Sequence, residues 1–111
     1  MSISPALRTP AAGLVDTHCH LAEYDAALSI LDRAKDANVH IVAVTEDPGQ
    51  YRIMRTKLGQ RQGVTCAIGM HPLRAHTFTS ADIARFLRLL PQAAWAGEIG
   101  LDFSPAGRDR G

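Results

Sequence analysis

The sequence predicts an α/β fold in which four parallel strands alternate with three helices. Apolar strand-like runs and amphipathic helix-like segments follow one another along the 111 residues, a pattern typical of right-handed crossovers that build a parallel sheet. Polar residues able to do chemistry stand after each strand, at the carboxyl ends where such folds bind ligands. A hydrophobic content of 46% suits a single domain with one core.

The first strand and the first helix follow a short leader. The apolar run Gly13-Leu14-Val15 predicts a buried strand that continues to His20. A helix is predicted over residues 25–37 because apolar side chains recur there with helical spacing. That stripe consists of Ala27, Ile30, Leu31, Ala34 and Ala37.

The second strand is predicted over residues 39–45 and ends in the polar turn Glu46-Asp47-Pro48-Gly49. His40 stands at the beginning of this strand, away from the end where sites collect, so we interpret it as structural. A weaker helix runs from Tyr51 to Gln62 and is ended by Gly63.

The third strand, residues 64–68, is broken sharply by Gly69-Met70-His71-Pro72. The helix that follows has Thr79 as its N-cap and Asp82 three residues later, the pattern of a capping box. A fourth strand over residues 93–99 carries Glu98. We therefore divide the chain into a flexible leader (1–12), a globular portion (13–103) and an irregular tail (104–111).

A His-x-His pair at the end of the first strand indicates a metal site. Side chains alternate faces along a strand, so His18 and His20 point the same way and can hold one divalent ion together. Such a pair alone is weak evidence, since exposed histidines at this spacing occur by chance. Glu98, flanked by small residues in Gly97-Glu98-Ile99-Gly100, completes a set of imidazole and carboxylate ligands. The alternative for Glu98 is a salt-bridged carboxylate at a strand end.

Three further side chains lie close to these candidate ligands. His71 precedes a proline at an abrupt strand end and is expected to line the substrate pocket, transfer a proton or cap the turn. Asp102 and Asp16 are each placed to accept a hydrogen bond from a ligand histidine.

Composition excludes several classes of protein. A net charge of +1 gives the whole chain no electrostatic footprint for nucleic acid, although Arg52, Arg55, Lys57 and Arg61 form an acid-free run. This run is interpreted as a solvated helix face, with a phosphate-facing patch as the less favoured alternative. Two cysteines in apolar surroundings, with no signal peptide or membrane span, predict a cytoplasmic protein without disulfides.

Three motifs give the sequence a resemblance to a known family. Asp16-Thr17-His18-Cys19-His20-Leu21, Ile68-Gly69-Met70-His71-Pro72 and Gly97-Glu98-Ile99-Gly100-Leu101-Asp102 resemble, in order and spacing, the first motifs of the TatD-type metal-dependent hydrolases. The resemblance implies a TIM-type (β/α)8 barrel, one or two divalent ions (Zn, Mn or Mg), and hydrolysis of DNA. It also implies that His18, His20 and Glu98 bind metal, with Glu98 as the bridge between two ions.

The family pattern continues with further ligands on later strands that are missing from these 111 residues. A complete barrel needs about 250 residues, so we expect the first half of one. The main prediction is a deoxyribonuclease. The alternatives are a non-catalytic fragment or assembly subunit, paired with a second copy or with the missing half, and an enzyme acting on another ester or amide.

Overall fold

The structure is a computed structural model that describes residues 13–108. It contains one four-stranded sheet and alternating helices. The strands are β1 (Leu14–Cys19), β2 (Val39–Ala43), β3 (Val64–Met70) and β4 (Trp95–Ile99). The α-helices are α1 (Ala27–Asp36), α2 (Pro48–Leu58), α3 (Ser80–Leu89) and α4 (Pro105–Arg108). Short 3-10 helices cover Leu21–Glu23, Pro72–Thr77 and Leu90–Gln92.

The strands lie side by side in the order of the chain, β1-β2-β3-β4, and every neighbouring pair is parallel. A doubly wound sheet reverses its strand order at one point, whereas a (β/α) barrel adds each strand on the same side as the last. The curled sheet with its alternating helices is therefore consistent with the first half of a TIM barrel, which confirms the predicted fold class.

Local sequence signals account for the helix boundaries. Asp47 caps α2 by accepting a hydrogen bond from the backbone N–H of Gln50, and Pro48 occupies the first helical position. The helix stops at Gly59, whose φ of 58° is readily adopted by glycine, so it ends before the predicted Gln62. Thr79 forms the predicted capping box with α3.

The core lies on one side of the sheet and is made by β2, α1 and α2. Because β2 is paired on both edges, four of its five residues are buried. The principal cluster comprises Leu21, Ala27, Leu31, Ile41, Ala43, Met54 and Leu58. On the other side of the sheet Val42, Val44 and Ala67 form a smaller cluster against Trp95.

One prediction of burial is wrong. Leu14 and Val15 of β1 are 72% and 43% exposed, because β1 is an edge strand with a partner on one side only. No residue of α3 is buried within the described part of the chain, and Ile83 and Leu87 of its apolar stripe face solvent. Burial on both faces of the sheet holds only around β2 and the adjoining part of β3.

The tail also differs from prediction in part. Residues 105–108 form a single helical turn that begins at Pro105, a position where the fixed φ of proline suits a helix. The predicted leader (1–12) and residues 109–111 lie outside the described residues. Among the helices of residues 13–108, none has the length and apolar character that a bilayer span requires.

Candidate metal centre

Three side chains from the two edge strands meet at the carboxyl ends of the sheet. His18 lies in β1, His20 follows the strand immediately, and Glu98 lies in β4. The Nε2 atoms of the two histidines are 3.2 Å apart. Each of them is also 3.2 Å from Glu98 Oε2. The three atoms thus form a nearly equilateral triangle, although residues 18 and 98 are 80 positions apart.

The donor set fits a divalent cation. In a tetrahedral zinc site with bonds of 2.0–2.1 Å, neighbouring ligand atoms are about 3.3 Å apart, close to the observed sides of 3.2 Å. Without a proton or a cation between them, two imidazole lone pairs and a carboxylate oxygen at this distance would repel one another. The side chains of His18, His20 and Glu98 are 52%, 30% and 27% exposed, so one face of the triangle stays accessible.

His71 brings a third imidazole to the same carboxylate oxygen. Its Nε2 lies 3.3 Å from Glu98 Oε2, and its side chain is 15% exposed. Its Nδ1 accepts a hydrogen bond of 3.1 Å from the backbone N–H of Leu73. A neutral imidazole has one N–H and one acceptor nitrogen, so this network assigns the proton to Nε2. In this tautomer His71 donates to Glu98 and has no Nε2 lone pair for a metal ion.

Glu98 is held in place through its backbone by the chain that follows β2. Its N–H donates to the carbonyl of Thr45 at 3.0 Å, and the N–H of Thr45 donates to the carbonyl of Gly97 at 3.1 Å. The buried Thr45 hydroxyl donates to the carbonyl of Ala67 and accepts from the N–H of Gly69. The segment after β2 therefore bonds to both β3 and β4.

Gly69 makes these contacts possible. A Cβ atom at residue 69 would clash with the carbonyl oxygen of Thr45 and would lie 2.6 Å from the backbone nitrogen of Glu98. Gly97 and Gly100, which flank Glu98 closely in the sequence, are approached less tightly than Gly69. The structure shows the tightest approach at Gly69, whereas a Cβ at Gly97 would meet only ordinary contacts from 3.4 Å outward, and one at Gly100 none within 4 Å.

The two aspartates predicted to support ligand histidines bond to backbone groups. Asp16 accepts from the backbone N–H of His18 at 3.1 Å, which orders the strand end beside the ligand. Asp102 accepts from the N–H of Ser104 at 2.8 Å. Hydrogen bonds from Ser104 lower the pKa of Asp102, and the nearby imidazole of His71 lowers it further. Support of a ligand imidazole by either carboxylate stays a prediction.

A second group of acidic and imidazole side chains adjoins the first. Ligand atoms of His20, Glu23 and Glu46 all lie within 4.8 Å of one another. Arg74, which the sequence did not single out, forms ion pairs in this region. Its guanidinium donates to Glu46 at 3.2 Å and to Asp47 at 2.7 Å. An ion in this group would compete with the arginine for Glu46.

His40 is set apart from the metal centre. It is 4% exposed, and its Nε2 lies 2.8 Å from the hydroxyl of Thr65. Its Nδ1 is buried without a hydrogen-bond partner in the described part of the chain, and burial lowers its pKa. These observations agree with the structural role predicted for it.

The two cysteines are free and half-buried. Both pack against the principal core cluster. Burial raises the pKa of Cys66 to about 11, with a smaller opposing effect of Arg55. The pKa of Cys19 is raised by burial and by the negative charge of Asp16.

Comparisons with known proteins identify one family. The family model described as TatD related DNase matches residues 15–110. The chain is 36% identical to deoxyribonuclease TATDN3 of Homo sapiens, over 89% of this chain and 42% of that protein. It is 36% identical to the putative deoxyribonuclease TATDN3 of Mus musculus, over 87% of this chain and 39% of the relative.

A bacterial relative is the uncharacterized metal-dependent hydrolase YcfH of Escherichia coli strain K12, 32% identical over 81% of this chain and 37% of that protein. The chain therefore spans about two fifths of the length of the curated relatives that it matches. The match of the family model over most of the chain, together with the motifs that carry the triangle of ligand atoms, shows that this chain belongs to the TatD-related DNase family.

Proposed function

We propose that this chain is the amino-terminal portion of a metal-dependent deoxyribonuclease, with His18, His20 and Glu98 as its first metal ligands. The observation that carries the proposal is the 3.2 Å triangle of Nε2, Nε2 and Oε2 atoms at the accessible end of the sheet. The names of two relatives as deoxyribonucleases supply the substrate class. Two imidazoles with one carboxylate favour zinc or manganese over magnesium, which prefers oxygen ligands.

A divalent ion held by His18, His20 and Glu98 would act as a Lewis acid toward a phosphoryl oxygen and would lower the pKa of a coordinated water. The side chains around it have separate tasks. Glu98 would hold the ion through its carboxylate, beside the imidazoles of His18 and His20. His71 directs its Nε2 proton at Glu98 Oε2, so it orients that carboxylate. We propose that His71 also lines the substrate pocket beside the metal ligands.

Metal binding is tested by urea unfolding of the purified chain with and without manganese or zinc. An ion present at one hundred times its dissociation constant stabilises the native state by about 2.7 kcal/mol. We expect this gain in the unmodified chain and its loss in His20→Ala and Glu98→Ala. The matched control is His76→Ala, because His76 is exposed and outside the triangle. Equal metal-dependent gains in all four proteins would contradict the ligand assignment.

Catalysis is tested separately with a labelled DNA oligonucleotide and the same variants. Metal-dependent cleavage that is lost in His20→Ala and Glu98→Ala and retained in His76→Ala is the expected result. A chain that binds metal at the triangle and cleaves nothing would favour the non-catalytic alternative for these 111 residues. Cleavage of ester or amide substrates in place of DNA would contradict the substrate class.

A further inference from the structure

A groove on the outer surface, between α2 and α3, is lined by arginines from both helices. Arg52 and Arg55 come from α2, and Arg85 and Arg88 come from α3. Each pair has a spacing of three residues, which places its members on one side of a helix. The groove has a volume of about 510 Å³, and its remaining lining residues are Thr56, Leu89 and Gln92. No carboxylate belongs to the described lining.

The positive charge of this arginine groove is not neutralised by ion pairs. Within residues 13–108 the arginine ion pairs are made by Arg61 and Arg74, and no groove arginine lies within 4.0 Å of a carboxylate oxygen. Helix α2 carries no acidic residue. The one acid of α3, Asp82, is engaged in the capping box with Thr79; it attracts Arg85 electrostatically but forms no ion pair with it within 4.0 Å.

The groove continues toward the end of the sheet that carries the metal centre. An adjoining depression shares Arg52, Thr56 and Arg85 with it and extends to Lys57 and Gly49. Gly49 lies in the first turn of α2, just after the carboxyl end of β2. A basic surface therefore runs from the rim of the sheet down the outside of the half-barrel.

The chemistry of this surface indicates its ligand. Five cations along one path attract a polyanion with regularly repeated charge, and arginine suits phosphate because its planar fork donates two parallel hydrogen bonds. An open groove on the helical face can hold a flexible strand. The path includes Gly49, which lies at the same end of the sheet as the proposed metal ligands.

We propose that the arginine groove binds the sugar-phosphate backbone of a nucleic-acid strand as an auxiliary site that retains the substrate outside the metal centre. This inference rests on the proposed nuclease function for the identity of the polyanion. It predicts that affinity for nucleic acid depends on the groove even when no metal is bound and no cleavage takes place.

The test is fluorescence anisotropy of a labelled single-stranded DNA oligonucleotide, titrated with the chain in EDTA at several salt concentrations. The double variant Arg85→Gln and Arg88→Gln removes two charges from one wall of the groove. The logarithm of the binding constant falls with the logarithm of salt concentration by about 0.7 for each phosphate contacted on a single strand. Loss of two phosphate contacts should therefore make this slope shallower by about 1.4. Affinity at 0.1 M salt should fall about 25-fold, if these contacts contribute nothing at 1 M salt.

Two matched variants separate the groove from general effects of charge. Arg33→Gln with Lys35→Gln removes the same charge from exposed positions at the end of α1 and should leave slope and affinity near those of the unmodified chain. Arg85→Lys with Arg88→Lys keeps the charge and should retain most of the affinity. Equal effects of the α1 and groove variants, no change on losing the groove arginines, or no binding by the unmodified chain would each overturn the proposal. Equally tight binding of polyglutamate would overturn the choice of nucleic acid.

Cleavage assays on the same proteins distinguish failure of the groove from failure of the nuclease. His76→Ala should bind the oligonucleotide in EDTA as tightly as the unmodified chain, since His76 is exposed and lies outside both the groove and the metal centre. Groove-dependent binding without metal-dependent cleavage would favour the non-catalytic alternative for these 111 residues and keep the groove as a nucleic-acid site. Metal-dependent cleavage together with binding that does not depend on the groove arginines would support the nuclease function and refute the groove as a binding site.

Discussion

Replacing Gly69 with alanine should disrupt the junction that positions Glu98. The new Cβ would lie 2.6 Å from the nitrogen of Glu98 and 2.7 Å from the carbonyl oxygen of Gly97, and it would clash with the carbonyl oxygen of Thr45. Real Cβ contacts essentially never fall below 3.0 Å. All three neighbours are backbone atoms, so the strand ends must separate to make room.

That separation affects three hydrogen bonds. They are Glu98 N–H to Thr45 O, Thr45 N–H to Gly97 O, and Gly69 N–H to the Thr45 hydroxyl, with lengths of 3.0, 3.1 and 3.0 Å. Each contributes about 1 kcal/mol, and overpacking adds about 1–3 kcal/mol. We expect Gly69→Ala to lower the free energy of unfolding by about 4–6 kcal/mol, a large share of the stability of a small domain.

Urea unfolding followed by circular dichroism measures this loss, with Gly97→Ala as the matched control. A Cβ at Gly97 would meet Val44 Cγ1 at 3.4 Å, an ordinary contact, so its cost should stay below about 1 kcal/mol. Because the displaced backbone carries Glu98, Gly69→Ala should also lose the stabilisation by manganese or zinc. Similar unfolding midpoints for the two variants, or a full metal response in Gly69→Ala, would refute the reasoning.

Three further predictions concern stability and reactivity. Burial lowers the pKa of His40 from its ordinary value of 6.5. As pH falls below about 6.5 the unfolded state binds the proton first, so stability should decline by up to about 1.4 kcal/mol per pH unit until the folded pKa is passed. Urea unfolding at a series of pH values should show a smaller decline in His40→Gln. Thr79→Ala, which removes the capping box of α3, should lower the free energy of unfolding by about 1 kcal/mol, against almost no change for Ser80→Ala. Burial raises the pKa of Cys66 to about 11 from an ordinary 9.0. Its alkylation at pH 8 should therefore be about 100-fold slower in the folded than in the unfolded chain. The rate is measured in the Cys19→Ser variant, in which Cys66 is the remaining thiol.

Each of these predictions has a clear contrary result. An unchanged pH dependence in His40→Gln would show that its burial does not govern acid sensitivity. Equal stabilities of the Thr79 and Ser80 variants would remove the capping box from the account of α3. Equal alkylation rates for Cys66 in the folded and unfolded chains would mean that its thiol is not desolvated.

The strand-helix alternation and the capping of α3 could be predicted because they depend on neighbours within a few residues. The exposure of β1 could not be predicted in this way. The run Gly13-Leu14-Val15 is equally apolar in a central strand and in an edge strand, and only the strand order shows that Leu14 remains exposed. Local pattern therefore establishes the elements, while burial depends on which of them become neighbours.

In the candidate site, too, local pattern predicts which residues take part but not which of them come into contact. Strand periodicity pairs His18 with His20, but the approach of Glu98 depends on the curl of the sheet from β1 to β4. His71 was expected at the rim. Its contact with Glu98 Oε2 and its tautomer depend on the turn that follows β3. Arg74 gave no signal in sequence, since its two carboxylate partners lie 27 and 28 residues away.

The hydrogen bonds around Thr45 have a consequence for the dynamics of the metal centre. The amides of Thr45, Gly69 and Glu98 come from three different strand ends, yet each is bonded within one junction. Opening one strand end exposes the others, so these amide protons should exchange with solvent at similar rates, as one cooperative unit. On the proposed ligand assignment, an ion bound at Glu98 should stabilise the closed form of the whole junction. Hydrogen exchange at Thr45 therefore reports occupancy of a site that Thr45 does not ligate.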